Sequence, residues 1–150
     1  MRLNACRRSG TTAVECALVY PTVFLFTLGL IVGAAGIFRY QEVSSLARRA
    51  ARYASVHGWQ YSKDTGYPAV TPDDIYNNAI LPNAIGMDLS KLTYSVSYAS
   101  GNGQTVTRVV NGVIIATTNT VTVTVSYQWV PEGFLGGITL SSTSVMPMSY

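Results

Sequence analysis

The longest apolar stretch of the chain lies near its N-terminus. No charged residue stands between Glu15 and Arg39, and as an α-helix those residues rise about 35 Å, enough to cross a hydrocarbon core of about 30 Å. Apolar side chains surround the whole circumference, so no polar face is left for water. The pattern predicts a membrane span over residues 14–38 rather than a buried core helix. A cleavable export signal is also disfavoured, because its apolar region normally has only about 7–15 residues.

Helical periodicity continues beyond this span. Apolar residues recur at helical spacing while a group of arginines lies largely off that stripe, so the stripe is expected to pack on a following domain. For the arginines two interpretations stay open, a solvated face and contact with lipid headgroups. One helix is therefore predicted over residues 11–57. The stripe consists of Val43, Leu46/Ala47, Ala50 and Ala54, and the arginines are Arg48, Arg49 and Arg52.

The rest of the chain, residues 58–150, reads as a small domain with mixed patterns. Residues 58–70 are predicted as a loop, and Thr71 with Pro72 marks the start of a short helix running toward Pro82. Period-two alternation predicts strands over residues 92–98, 105–109 and 120–129, with a last strand over 138–146. Asn102-Gly103 and Asn111-Gly112 are hairpin-type dipeptides. The predicted fold class is α+β: a long N-terminal transmembrane and amphipathic helix, then a small antiparallel β-sheet domain with one short helix.

The net charge of +3 is unevenly distributed. The first 57 residues carry seven arginines against Glu15 and Glu42, whereas residues 58–150 carry three basic and five acidic side chains, a net −2. The domain therefore offers no basic face for nucleic acid. Both cysteines, Cys6 and Cys16, precede the domain, so no intramolecular disulfide staples it.

A short basic segment precedes the apolar stretch. It reads Arg7-Arg8-Ser9-Gly10-Thr11-Thr12-Ala13-Val14-Glu15, with the glutamate as the fifth residue after the glycine. This spacing resembles the processing site of type IV prepilins. The resemblance implies that a prepilin peptidase cuts between Gly10 and Thr11 on the cytoplasmic side, removing a leader of residues 1–10 and leaving the apolar helix intact.

Glu15 is the strongest candidate for a functional side chain. A carboxylate in an apolar segment costs on the order of 2–3 kcal/mol at mid-membrane and less near the interface, so it usually has a function or a partner. After cleavage the ammonium group of Thr11 would supply a counter-charge, within the chain or on an adjacent subunit. The alternative is a glutamate that only marks the membrane interface.

A narrower resemblance covers both ends of the chain. Residues 7–21, Arg-Arg-Ser-Gly-Thr-Thr-Ala-Val-Glu-Cys-Ala-Leu-Val-Tyr-Pro, resemble the opening of TadE-like proteins, although Cys16 replaces the usual aromatic residue. Residues 46–54, 121–127 and 140–147 resemble later segments of that family. The resemblance implies a minor pilin or pseudopilin that takes part in assembly of a tight-adherence, type IVc-like pilus.

The same resemblance implies location and partners. It places the chain in the inner membrane as a single-pass protein, with the N-terminus cytoplasmic and the C-terminal domain outside the cytoplasm. Arginines flank both sides of the span, so charge alone does not choose this orientation. The implied partners are the prepilin peptidase, other pilin subunits, the assembly machinery and membrane lipid.

Two glycines within the span are candidates for helix packing. Gly29 and Gly33 form a small-xxx-small face that permits close approach of another helix, although such pairs also occur by chance. No catalytic, cofactor or metal site is predicted, since His57 is the only histidine and Asp73 and Asp74 are explained as helix N-terminal acids. Two other classes stay open: an unprocessed membrane-anchored binding domain outside the cytoplasm, and a signal-anchored enzyme.

Overall fold

The computed structural model describes residues 9–131 and 136–149, apart from the side chains of residues 9–11 and 108. The chain divides into two compact units, Met1–Ile37 and Phe38–Tyr150. Residues 1–8, most of the predicted leader, lie outside the described residues. A helix α1, Ser9–Val56, forms the described part of the first unit and supplies the first element of the second.

The described part of the first unit is an apolar helix whose side chains are largely exposed. None of residues 12–37 is buried, and Phe24, Leu25 and Phe26 are 62%, 68% and 71% exposed. Apolar surface of this extent is unfavourable in water, at about 25 cal/mol per Å². By length and composition α1 is able to cross a membrane. The chain therefore carries an N-terminal helix suited to single-pass membrane anchoring.

Two threonine hydroxyls within this apolar helix are satisfied locally. The hydroxyl of Thr22 donates to the carbonyl of Leu18 at 3.0 Å, and that of Thr27 donates to the carbonyl of Val23 at 2.8 Å. Pro21 lies inside the helix, where it supplies no backbone donor. Hydroxyls bonded to the preceding turn carry little polarity into an apolar environment.

The second unit contains further helical turns and five strands. The segment 58–70, predicted as a loop, contains a helix over Trp59–Thr65, so that prediction is wrong for its first half. The short helix predicted from Thr71 toward Pro82 is present, but as three different turns in succession. The elements after α1 are α2 (Trp59–Thr65), α3 (Pro72–Ile75), a π turn (Tyr76–Ile80), 3₁₀ turns (Leu81–Asn83 and Leu89–Lys91), β1 (Leu92–Tyr98), β2 (Thr105–Val110), β3 (Val113–Thr118), β4 (Thr120–Trp129) and β5 (Ile138–Pro147).

The strands form two antiparallel sheets. One has three strands in the order β1-β4-β5, and the other consists of β2 and β3. Along the middle strand β4, buried and partly buried side chains alternate from Thr120 to Tyr127, because only one face of the strand meets the core. On the opposite face the hydroxyls of Thr124 and Thr143 lie 2.9 Å apart, as do those of Ser126 and Ser141. The predicted α+β class is confirmed.

The core lies between the second half of α1 and the three-stranded sheet. The helix contributes the apolar stripe expected from the sequence, together with Ala51. Burial is nearly complete on both sides, which confirms that the stripe packs on the domain. The helix residues are Val43, Leu46, Ala47, Ala50, Ala51 and Ala54, and the strand residues are Val121, Val123, Val125 and Tyr127.

Of the two hairpin-type dipeptides, one connects a pair of strands and the other does not. Asn111 and Gly112 have φ values of 52° and 80° and connect β2 to β3 directly, which fits a two-residue primed turn. The hairpin expectation for Asn102-Gly103 is wrong, because β1 pairs with β4 and not with β2. The carbonyl of Asn102 instead accepts the backbone N–H of Trp59 at 2.9 Å.

The β2–β3 hairpin makes no strand pair with the main sheet. Strand β3 was not among the predicted strands, and all of its residues are exposed. Ile114 is 71% exposed, and Val109 is 65% exposed. A two-stranded hairpin is at best marginally stable by itself in water, so its position depends on how its base is attached.

Asn119 attaches the hairpin base to the domain. This side chain is fully buried between β3 and β4. Its amide nitrogen lies within hydrogen-bond distance of the carbonyls of Ser100, Gly101 and Gly103, at 3.2, 3.1 and 2.6 Å. Its amide oxygen accepts the backbone N–H groups of Ser100 and Thr120. One side chain thus connects the loop after β1 with the start of the central strand.

The start of α3 is closed by a reciprocal cap. The backbone N–H of Asp74 donates to the hydroxyl oxygen of Thr71 at 3.3 Å, and the backbone N–H of Thr71 donates to the Asp74 carboxylate at 3.0 Å. The hydroxyl of Thr71 also donates to that carboxylate. These bonds hold the pKa of Asp74 below its usual value of 3.8. The cap therefore stabilises the fold most when Asp74 is ionised.

Thr71→Val is expected to lower stability in a pH-dependent way. A lowered carboxyl pKa contributes stability above the unfolded-state value, and that contribution disappears as pH falls through the folded-state value. The loss in free energy of unfolding should therefore be largest near neutral pH and shrink below about pH 4. Urea unfolding at several pH values measures this difference. Thr107→Val, in exposed strand β2, is the control; an equally pH-dependent loss there would contradict the assignment.

Candidate functional site

The predicted processing bond lies at the start of the described chain. Gly10 and Thr11 are in the first turn of the described part of α1, which begins at Ser9. A peptidase needs an extended backbone, so this turn must open before the bond is cut. Terminal helical turns fray, and glycine lowers helix stability by roughly 0.5–1 kcal/mol relative to alanine. The position is compatible with cleavage, which stays a prediction.

Glu15 is an exposed carboxylate on the apolar helix. It follows Thr11 by four residues, about one helical turn. Its side chain has no hydrogen bond and no ion pair with any residue that the structure describes. An ionised carboxylate in low dielectric is unfavourable without a counter-charge. The charge of Glu15 is therefore available to a group outside the described chain.

Gly29 and Gly33 lie on an open helix surface. A Cβ atom built at either position has no neighbour within 4 Å. Gly29 borders a shallow groove of about 400 Å³ that is also lined by Leu25, Phe26 and Leu30. Another helix would find no side chain at these glycines to keep it away. The packing role stays a prediction.

The predicted residues fall into two groups along the helix. Gly10, Thr11 and Glu15 lie within two turns of one another, whereas Gly29 and Gly33 follow Glu15 by roughly 20–27 Å at 1.5 Å per residue. The structure therefore does not bring the two groups together. Cleavage and charge pairing belong to the start of α1, and helix packing belongs to its middle.

The arginines off the apolar stripe are mostly engaged within the domain. Arg48 donates to the hydroxyl of Ser44 at 2.9 Å, and Arg49 donates to the side-chain oxygen of Asn83. The side chain of Arg52 is exposed. Two of the three guanidinium groups thus have protein partners.

No catalytic or metal centre is apparent among residues 9–131 and 136–149. Within these residues no three His, Cys, Asp or Glu side chains cluster as metal ligands. His57 follows the last residue of α1 and is partly buried, with its Nδ1–H donating to the carbonyl of Tyr53 at 2.9 Å. Asp73 accepts the hydroxyl of Tyr94 at 2.9 Å. Each of these groups has a structural partner.

Comparison with known families assigns the N-terminal segment. The sequence model described as TadE-like protein matches residues 10–52. Residues 10–52 are thus similar to the TadE-like family. The matched segment includes Glu15 and ends within the part of α1 that packs on the sheet. The TadE-like match confirms the family indicated by the sequence, and it implies a role associated with tight-adherence pili.

The TadE-like match ends before most of the domain. Residues 53–150 lie outside the matched segment, and no curated protein and no solved structure gave a significant match. The TadE-like family is a pilin-type family rather than an enzyme family, and its members act with other pilus subunits. The fold of the domain is therefore argued from its own packing. The comparisons assign no binding partner to residues 53–150.

The structure also shows a group of residues that the sequence interpretation did not bring together. Tyr53, His57 and Tyr61 form a continuous row of rings: the first two stack at 4.2 Å between centroids, and the last two meet edge to face at 4.8 Å. Their spacing of four residues was visible in the sequence. The sequence pattern does not reveal the row, because it predicts a loop over residues 58–70 and so separates Tyr61 from the helix before it.

Proposed function

We propose that this chain is a minor pilin or pseudopilin that takes part in assembly of a tight-adherence, type IVc-like pilus. A prepilin peptidase cuts it between Gly10 and Thr11, and the helix that follows is retained. The observation that carries the proposal is the exposed carboxylate of Glu15 on an apolar helix, inside the segment that matches the TadE-like family. The proposed location is the inner membrane, with the N-terminus in the cytoplasm.

The proposed mechanism follows from the exposure of the helix. Before assembly, lipid covers the apolar side chains of residues 14–38, since they are exposed in the single chain. Cleavage creates an ammonium group at Thr11 that neutralises Glu15 of the same or an adjacent subunit. In the assembled state neighbouring helices replace lipid, and Gly29 and Gly33 allow close approach. The domain, residues 58–150, then lies outside the cytoplasm.

Cleavage predicts a specific mass for the membrane-extracted protein. In cells that contain a prepilin peptidase, the mass should correspond to the chain beginning at Thr11. Cells without the peptidase should yield the intact chain. Intact-mass spectrometry of the detergent-extracted protein measures both. We expect almost all of the protein to be in the shorter form. Cleavage would also remove the three arginines of the leader from the membrane interface.

Two variants locate the cut. Gly10→Leu should leave the chain intact, because a large side chain hinders entry of the backbone into the peptidase cleft, whereas Ser9→Ala should be cut like the parent. An intact N-terminus in peptidase-positive cells would contradict the proposal and favour an unprocessed anchored binding domain. Loss of the helix itself would show a cleaved export signal instead.

A further inference from the structure

A cleft in the second unit is lined largely by aromatic side chains. It lies where the end of α1, helix α2, the following loop and α3 meet, and its volume is about 270 Å³. We name it the tyrosine cleft. Its walls include Tyr53, His57, Tyr61, Tyr67, Asp74 and Asn78.

Aromatic rings form much of the wall of the tyrosine cleft. The stacked row of Tyr53, His57 and Tyr61 forms one side. Tyr67 lies on the loop after α2 and is 67% exposed. The face of an aromatic ring carries negative electrostatic potential, so tyrosine faces attract cations and repel anions.

The charged and hydrogen-bonding groups of the cleft have the same preference. Asp74 supplies the one carboxylate among its lining residues, and no lysine or arginine is among them, although His57 is. Two of the donors in the cleft are already used: Nδ1 of His57 donates to the carbonyl of Tyr53, and the amide of Asn78 donates to the carbonyl of Asp74 at 2.9 Å. The carboxylate of Asp74 therefore disfavours an anion in the cleft.

We propose that the tyrosine cleft binds a small organic ammonium group, primary or quaternary. The methyl or methylene groups contact the tyrosine faces, and the positive charge lies between those faces and the carboxylate of Asp74. Cation–π contacts contribute roughly 0.5–2 kcal/mol each, depending on exposure. The neighbouring surface already contains one such contact, because the ammonium of Lys63 lies 3.8 Å from the ring centroid of Trp59. This site is independent of the pilus assignment.

Choline and its uncharged isostere, 3,3-dimethyl-1-butanol, test the proposal directly. The full chain, labelled with 3-fluorotyrosine in a non-ionic detergent, is titrated with each compound at constant ionic strength, and ¹⁹F resonances are followed. Resonances of Tyr61 and Tyr67, assigned by their loss in Tyr61→Phe and Tyr67→Phe, should shift saturably with choline. The alcohol should bind at least about tenfold more weakly, since it lacks the charge. Equal affinities, or no saturable shift with choline, would overturn the proposal.

Matched variants separate the cleft from general surface effects. Tyr67→Ala and Asp74→Asn should each weaken choline binding by roughly three- to tenfold, as expected for loss of one contact worth about 1 kcal/mol. The controls are Tyr40→Ala, a 47% exposed tyrosine on α1 away from the cleft, and Asp64→Asn, an exposed carboxylate on α2. Equal weakening by the controls would show that binding lies outside the cleft.

A second arm distinguishes two sources of the ammonium group. The labelled protein is placed in nanodiscs of phosphatidylcholine or of phosphatidylglycerol. A Tyr67 shift in phosphatidylcholine alone supports the site and assigns a lipid headgroup as its ligand. Choline binding with identical Tyr67 resonances in both nanodiscs supports the site and assigns a free ligand.

Discussion

Asn119→Asp is expected to unfold the domain or to lower its free energy of unfolding by about 3–5 kcal/mol, the range for an uncompensated buried charge. The substitution changes almost no volume. It replaces an amide nitrogen that faces the carbonyls of Ser100, Gly101 and Gly103 by a carboxylate oxygen. An anion then lies against three carbonyl oxygens in a fully buried position. Urea unfolding of the full chain in non-ionic detergent, followed by circular dichroism, measures the loss.

Two comparisons make the Asn119 result specific. Asn119→Ala removes the donor without adding charge and should cost less, about 2 kcal/mol, because the carbonyls lose their partner but are not repelled. Asn111→Asp is the control, since Asp-Gly supports the same primed turn as Asn-Gly. The deficit of Asn119→Asp relative to the parent should shrink at acidic pH, when the carboxyl group can donate. An Asn119→Asp protein as stable as Asn111→Asp would contradict the role of this side chain.

The sequence predicted best those elements with one face against the core. Residues 120–126 alternate valine with threonine or serine, and the observed β4, Thr120–Trp129, has the predicted bounds because a shift of one residue would bury its hydroxyls. The helical stripe from Val43 to Ala54 is equally constrained, since any rotation of α1 would bury an arginine. In both cases only one register of the strand or one rotation of the helix buries the apolar side chains and leaves the polar ones exposed.

Elements without a buried face were harder to predict. Strand β3, Val113–Thr118, has no period-two pattern because neither face of the hairpin contacts the core. Helix α2, Trp59–Thr65, contains no buried residue, so it shows no apolar periodicity. Asn102-Gly103 has the composition of a hairpin turn, but β1 is paired by β4 through contacts that are distant in sequence.

The candidate residues divide in the same way. Gly10, Thr11 and Glu15 can be singled out from the sequence because they are defined by their spacing along one helix, and their roles stay predictions. The tyrosine cleft was not found, because it depends on the fold of residues 58–70 and on the approach of Asp74 from α3. Asn119 gave no signal at all, since its role is defined by carbonyls that lie 16 to 19 residues earlier in the chain.

Glu15→Gln is expected to leave cleavage intact and to reduce surface pili by more than about tenfold. Glutamine has nearly the same size but no charge, so it cannot neutralise the new ammonium group of Thr11. A hydrogen bond to a charged group is worth about 1.5–3 kcal/mol, and a loss of 2 kcal/mol lowers an association constant roughly thirtyfold. Intact-mass spectrometry measures cleavage, and quantification of sheared pili measures assembly. Glu42→Gln is the control, because Glu42 lies on the same helix but is paired with Arg39 at 2.7 Å.

The Glu15 variant also distinguishes a pairing role from an interface-marking role, because the two roles predict different amounts of surface pili. An uncharged residue is less costly in hydrocarbon, so a glutamate that only marks the interface would give Glu15→Gln normal or better retention of the span and normal piliation. A glutamate that pairs with a neighbouring subunit would give normal retention and lost piliation. Membrane retention together with a tenfold or greater loss of pili therefore supports charge pairing, whereas unchanged pili would show that the carboxylate takes no part in assembly.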